Sequence, residues 1–283
     1  MTASNPQLWI KRGNEDEIDV GTITSDLDFL GESTSPTISN VYQDNVGNDG
    51  SILNYQSFQK SVVTANFNLH FGDWMDFKLA QHDIYRFFMN KELMRIRTDM
   101  EPAIVKYVRA GNFDVKPISD GSNDASFSIP FDNPSGYKYS LANSDQLKTY
   151  DQGVWMLYGG NIPMQDDINY HFVDQRTLKV YNASDITVDP YFQRHELKII
   201  MKHYGGSFGL VNNTTGTSWN FKGQMNNADT LLLNGINTFK NGTLDNNETD
   251  YGYLSLAPGW NEISVVGAGD LDITFSFPFI YLA

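Results

Sequence analysis

The second half of the chain is punctuated with unusual regularity. Runs such as "TLKVYNAS", "HELKIIMKHYG", "SFGLVNN", "TSWNFKG", "TLLLNG", "YGYLSL", "NEISVVGAG" and "LDITFSF" are separated by turns roughly every eight to twelve residues. That spacing is the signature of an all-β sandwich and constrains the fold more than any other feature. The composition agrees, since aromatics are 13% of residues and Gly and Asn are abundant, which favours strands and tight turns over helices.

The first half reads as strands around one helix. "QLWIKRGNEDEIDVG" predicts a hairpin about Gly13 and Asn14. In "SVVTANFNLHF", Val63, Ala65, Phe67, Leu69 and Phe71 alternate with polar residues, as in a half-buried antiparallel strand. "DWMDFKLAQHDIYRFFMNKE" predicts a helix: Asp73 is a good N-cap, Asp76 sits near the positive end, and Asn90 closes it. Phe77, Ala80, Ile84, Phe87 and Phe88 make its apolar stripe. Strands follow in "LMRIRTDM", "AIVKYVRAGNFDVKPI" and "ASFSIPFDN". Residues 31–60 are polar and weakly periodic, a length that is usually functional, and are expected to form a protruding loop or extended hairpin. Residues 132–153 carry Pro, Gly, Ser and Asn with little apolar pattern and are expected to be the linker between domains 1–140 and 141–283.

The chain ends "FSFPFIYLA", although a terminus normally tolerates disorder. Burying four such side chains stabilises by about 6–12 kcal/mol before entropy, so the run must be tied down. It forms either an inner strand of the second sandwich, with Ile273, Phe275, Phe277 and Phe279 inward, or a strand at about 275–283 that returns to the first domain. Lost alternation after Pro278 favours the return, which proline permits only at an edge or bulge.

Chemistry is sparse. Net charge is −14 and no Lys or Arg cluster appears, which argues against binding nucleic acid or an anionic membrane surface. Cysteine is absent, so thiol catalysis, disulfides and cysteine–metal sites are excluded. No basic region precedes an apolar core at the N-terminus, and no run approaches a membrane span; a protein that folds in the cytosol is expected. Five histidines, His70, His82, His171, His195 and His203, are scattered; those of "HELKIIMKH", His195 and His203, would stand roughly 26 Å apart on a strand, so surface or edge histidines are expected there. The carboxylate pairs Asp26 and Asp28, Asp166 and Asp167, and Asp270 and Asp272 sit among turns and strand starts, and a glycosidase reading would need two across a cleft. "DNNETDYG" (245–252) lacks the glycine and glutamate spacing of an EF-hand and is expected to be a turn. There is no nucleophile elbow, P-loop or dinucleotide fingerprint. Trp219 and Trp260 are weak candidates for stacking on sugar. No catalytic residue, cofactor or metal is assigned.

The order of blocks is more specific than any one of them. "VGNDGSIL" before "VVTANFNLHF", then "HDIYRFFMNKELMRIR", "YVRAGNFDVKP" and "ASFSIPFDNPSGYKYS" precede "KVYNASDITVDPYFQRHELKIIMK", "GLVNNTTGTSWNFKG" and the closing "LAPGWNEISVVGAGDLDITFSFPFIYLA" with its turn at Pro258, Gly259 and Asn261. This layout resembles the distal tail proteins of siphophages that infect Gram-positive bacteria. The resemblance implies a mainly β chain: an N-terminal β-sandwich ring domain with one α-helix, then a galectin-like β-sandwich. It implies a non-enzymatic virion protein at the distal end of the tail. Its hexameric ring would join the tail tube to the tail tip or baseplate and the host-adhesion device. The implied partners are five further copies, the major tail protein, the tail-associated lysin or tip protein and a receptor-binding protein, while genomic DNA passes through unbound. No confident receptor-binding arm appears, because loops 161–170 and 241–251 are short. The acidic composition suits such a passage, and segment 31–60 would be a belt reaching a neighbour. The alternative is a carbohydrate-binding β-sandwich adhesion module.

Overall fold

The computed structural model describes residues 6–47, 49–146, 161–163, 167–268 and 270–282. The chain divides into two units, Met1–Lys138 with Leu282–Ala283, and Tyr139–Tyr281.

The first unit begins with β1 (Leu8–Arg12) and β2 (Ile18–Asp19), the expected hairpin, with Ile10 opposite Ile18. Next come β3 (Leu27–Thr34), β4 (Ile38–Asp44), β5 (Ser51–Phe58), β6 (Ser61–His70), α1 (Trp74–Phe88), β7 (Met94–Thr98), β8 (Ile104–Ala110) and β9 (Asp124–Asn133). Strands other than β4 and β5 pair in the order β2-β1-β7-β8-β9-β6-β3. In β8, Lys106 and Val108 pair with β7, while Arg109 and Ala110 pair with β9. Both ends of the path feed one core: Leu8, Ile10 and Ile96 from one side, Val63, Phe67 and Phe131 from the other.

Alternation places Val63, Ala65, Phe67 and Leu69 of β6 inside that core. Phe67 stacks on Phe127 of β9 at 5.4 Å between ring centroids, the cross-strand pairing expected of facing aromatics. Helix α1 begins where Asp73 accepts hydrogen bonds from the N–H groups of Met75 and Asp76, at 2.7 and 3.0 Å. Its stripe Phe77, Ala80, Ile84, Phe87 and Phe88 is buried, and Asn90 donates to the Phe87 carbonyl at the far end.

The boundary between the two units falls inside the segment expected to be the linker, which is described through residue 146. Strand β10 (Tyr137–Asn143) follows a turn at Gly136, where φ is +71° and an added Cβ would stand 2.2 Å from the Gln59 carbonyl. A 3-10 turn covers Ser144–Gln146. Residues 147–153 of the expected linker lie outside the described residues.

The second unit adds β11 (His171–Val173), β12 (Thr177–Asn182), β13 (Lys198–Lys202), β14 (Phe208–Asn212), β15 (Thr217–Phe221), β16 (Leu231–Asn234), β17 (Asn237–Lys240), β18 (Thr243–Leu244), β19 (Gly259–Val266), β20 (Asp272–Ser276) and β21 (Pro278–Leu282). One sheet runs β11-β20-β13-β16-β17-β18 and the other β12-β19-β14-β15. They bury a shared interior, across which the Trp219 indole of β15 donates to the Thr238 hydroxyl of β17 at 3.1 Å. The chain is mainly β, as expected.

"YGYLSL" departs from its strand expectation. Residues 251–255 are irregular, and the chain from Ser255 to Ala257 is held by three buried asparagines beside the single bridge from Leu256 to Val188. Asn182 donates to the Leu256 carbonyl at 2.9 Å, Asn212 to the Ser255 carbonyl at 2.7 Å, and Asn261 to the Ala257 carbonyl at 2.8 Å. Side-chain amides here satisfy backbone groups that a neighbouring strand would otherwise take.

The apolar terminus is fully fastened. Phe275 packs on Phe172 within the six-stranded sheet, and Phe277 and Phe279 pack on Tyr170. Beyond Ser276 the chain leaves that sheet, and β21 pairs with β10. Ser144 bridges the switch: its hydroxyl donates to the Phe275 carbonyl, and its N–H to that of Phe277. Phe279 and Ile280 then donate their N–H groups to the hydroxyls of Ser140 and Ser184.

Candidate assembly interface

Strands β4 and β5 pair from Ile38 opposite Phe58 to Asp44 opposite Ser51, with a bulge after Val41. Among the described residues they pair with no other strand. No residue of either strand is buried. Tyr42, Ile52 and Tyr55 are each more than half exposed, and Val46 near the tip is wholly so. A lone two-stranded ribbon is marginal in water, and edge strands are normally protected by Lys or Pro. This one carries neither between residues 38 and 58, and its only charges are Asp44 and Asp49. It is tied at its root, where Gln59 donates to the Thr37 carbonyl and Phe58 meets Tyr137 edge-on at 5.8 Å.

A second exposed apolar surface lies along the outer face of α1. Trp74, Met75 and Leu79 are exposed there, with the Trp74 ring resting against Phe77 at 5.2 Å. A groove of about 610 Å³ runs between the helix start and residues 116–123, lined by Phe71, Trp74 and Ile118 among others.

The residues singled out for chemistry do not converge. His70, His171 and His203 each face one aspartate: Asp124 at 2.8 Å, Asp272 at 2.8 Å and Asp270 at 2.6 Å. The hydrogen bond that the His70 ring donates to the Asp124 carboxylate raises the His70 pKa. His195 and His203 are buried, contrary to the expectation of surface or edge histidines. Leu197, Ile199 and Met201 set the inward phase of this segment, and both histidines fall in it. Burial lowers the His195 pKa. His82 is exposed on α1. Among the described residues no group of His, Asp and Glu is arranged to hold a metal ion. Asp26 occupies a left-handed turn position and Asp28 is exposed on β3. Asp167 is exposed, and its neighbour Asp166 lies outside the described residues. In "DNNETDYG", Asp250 is spent on Asn220 and the N–H of Gly252.

Trp219 is fully buried, so it offers no face to a sugar; its inward phase on β15 and its partner Thr238 account for this. Trp260 is 40% exposed and packs edge-on against Tyr181 at 5.0 Å. Sequence reasoning placed the projecting segment, but not its apolar exposure or the helix groove. The signal available was a long segment without Lys or Pro across residues 38–58.

Residues 18–133 match the family model of the phage tail protein RIFT-related domain. No curated protein matches the chain in sequence. Among solved structures, the chain is similar to the Dit protein of phage SPP1, described as a paradigm of the hub adsorption apparatus in Gram-positive infecting phages. The match covers 96% of this chain and 99% of that one, with a TM-score of 0.68 and 10% identity. Two structures of the phage p2 baseplate in its activated conformation, with strontium and with calcium, match over 97% of this chain and 98% of theirs. Their identity is 12%, with TM-scores of 0.46 and 0.45. The resemblance to siphophage distal tail proteins read from the sequence is therefore met twice, by the domain over residues 18–133 and by the whole-chain fold of the SPP1 protein.

Proposed function

We propose that this chain, with a phage-tail domain in its first half and the fold of a tail hub protein throughout, is a distal tail protein that builds a hexameric ring in the virion. Its role is structural, at the distal end of the tail, in contact with other tail proteins. Residues 1–140 form the ring. Residues 141–283 form an outer, galectin-like sandwich. The ring joins the tail tube formed by the major tail protein to the tip or lysin protein, and presents the outer sandwiches to the adhesion device. No catalytic step is assigned to it.

The observation that carries this reading is the β4–β5 arm: exposed, apolar, free of Lys and Pro, and excluded from its own core. Such an edge is stabilised when a neighbour covers it. A head-to-tail ring needs two different patches on each copy. The arm supplies one, and the Trp74, Met75 and Leu79 face supplies the other. Net charge of −14 favours passage of DNA over its binding, because acidic walls repel phosphates.

The test is light scattering with negative-stain imaging of the purified chain, which should give a six-fold annulus with a central hole. Replacing residues 38–58 by a short turn should yield monomers with an unchanged melting temperature. A wild-type monomer at high concentration, or a ring that survives loss of the arm, overturns the proposal.

A further inference from the structure

Between the isolated bridge Val188↔Leu256 and β13, the second unit carries a hook whose backbone is pinned at several points. The Asp189 carboxylate accepts from the N–H groups of Tyr191 and Phe192, at 2.9 and 3.0 Å. The His195 N–H donates to the Asp189 carbonyl at 3.0 Å, and the buried His195 ring places Nδ1 3.2 Å from the Asp189 nitrogen. Arg194 takes a left-handed conformation, φ +57°, which a non-glycine residue adopts only where its surroundings fix it.

This rigid hook holds aromatic rings out of the core. Tyr191 is 54% exposed and Phe192 72%. Tyr191 stacks nearly parallel on Tyr253, with centroids 5.1 Å apart, and meets Phe192 edge-on at 4.8 Å. Beside Tyr191 opens a cleft of about 470 Å³, walled by Pro190–Tyr191, Arg194–Glu196 and Asn234–Asn237. Arg194 and Asn234 are exposed there and make no side-chain hydrogen bond or ion pair among the described residues.

We propose that this cleft is a saccharide-binding site that takes a single pyranose ring. Its size lies in the range of small-ligand clefts. An aromatic face carries partial negative charge, which suits the polarised C–H groups on one side of a sugar ring. The unspent guanidinium and amide provide planar donors, and the Asn234 carbonyl and the Glu196 carboxylate, which also pairs with Lys198, provide acceptors for the ring hydroxyls. The proposal does not rest on the ring, and its test is independent of oligomeric state.

The full-length protein is titrated with glucose, galactose, N-acetylglucosamine and rhamnose, each to about 20 mM, since one sugar ring supplies roughly millimolar affinity. Calorimetry and saturation-transfer NMR report binding. At least one sugar should bind. Tyr191→Ala and Arg194→Ala should each weaken it by about tenfold or more, with melting unchanged, while Trp260→Ala leaves it unaltered. Failure of all four sugars to bind overturns the proposal. So does binding that both cleft variants retain or that Trp260→Ala removes. If none binds and Tyr191→Ala instead abolishes capture of a purified tail protein, the cleft is a protein contact and the proposal also fails.

Discussion

Two tryptophans show how far a side chain's phase in its strand governs its use. Trp219 points inward, donates its N–H to Thr238, and stacks with Phe221 at 6.4 Å. Trp219→Ala should cost about 3–5 kcal/mol, because it opens a cavity and leaves Thr238 without its donor. Trp260→Ala should cost far less, and chemical denaturation of both variants distinguishes them. Asp229 offers a pH test at the same scale. Hydrogen bonds from the Asn241 side chain and the Asn226 backbone, with Lys240 nearby, hold its pKa down from 3.8 to about 2. A depressed carboxylate favours the folded state above its unfolded pKa, and that contribution is lost as pH falls through the folded value. The segment around Asp229 should therefore loosen between about pH 4 and pH 2. Asp229→Asn should flatten that part of the acid-unfolding curve; an unchanged curve contradicts the assignment.

At the scale of elements, the C-terminal run behaves as two strands joined by a switch. Strand β20 belongs to the six-stranded sheet and β21 pairs with β10, with Ser144 satisfying the backbone between them. Removing residues 276–283 takes away the buried rings of Phe277, Phe279 and Tyr281 and leaves the hydroxyls of Ser140 and Ser184 without their donors. The truncated chain should be insoluble or monomeric. A soluble ring of unchanged size, seen by size-exclusion chromatography with light scattering, would refute this. The irregular 251–255 segment teaches a related lesson. Its Tyr, Leu and Ser pattern suits a strand, yet its end is fixed by side chains: Asn212 donates to the Ser255 carbonyl, and the Ser255 N–H donates to the Thr217 hydroxyl.

For the whole molecule, charge and arm act in opposite directions. In the proposed ring each copy would bring −14, so like-charge repulsion would work against association while apolar cover over Tyr42, Ile52 and Tyr55 would drive it. Raising the salt from about 0.05 to 0.5 M screens the repulsion and leaves the apolar contact intact. The assembled fraction should rise with salt, as read by analytical ultracentrifugation; a fall would mean that ion pairs hold the interface. By itself, the sequence determined what local periodicity and turn chemistry encode. That includes the inward faces of β6 and β9, the capped helix from Asp73 to Asn90, and most strands of the second sandwich, since each depends on residues within a few positions of one another. Only the tertiary structure decided that residues 137–143 form a strand and that Tyr191 and Arg194 stand beside Asn234. Those facts depend on partners up to 139 residues away, as between Ser140 and Phe279, and no local pattern records a contact over such a distance.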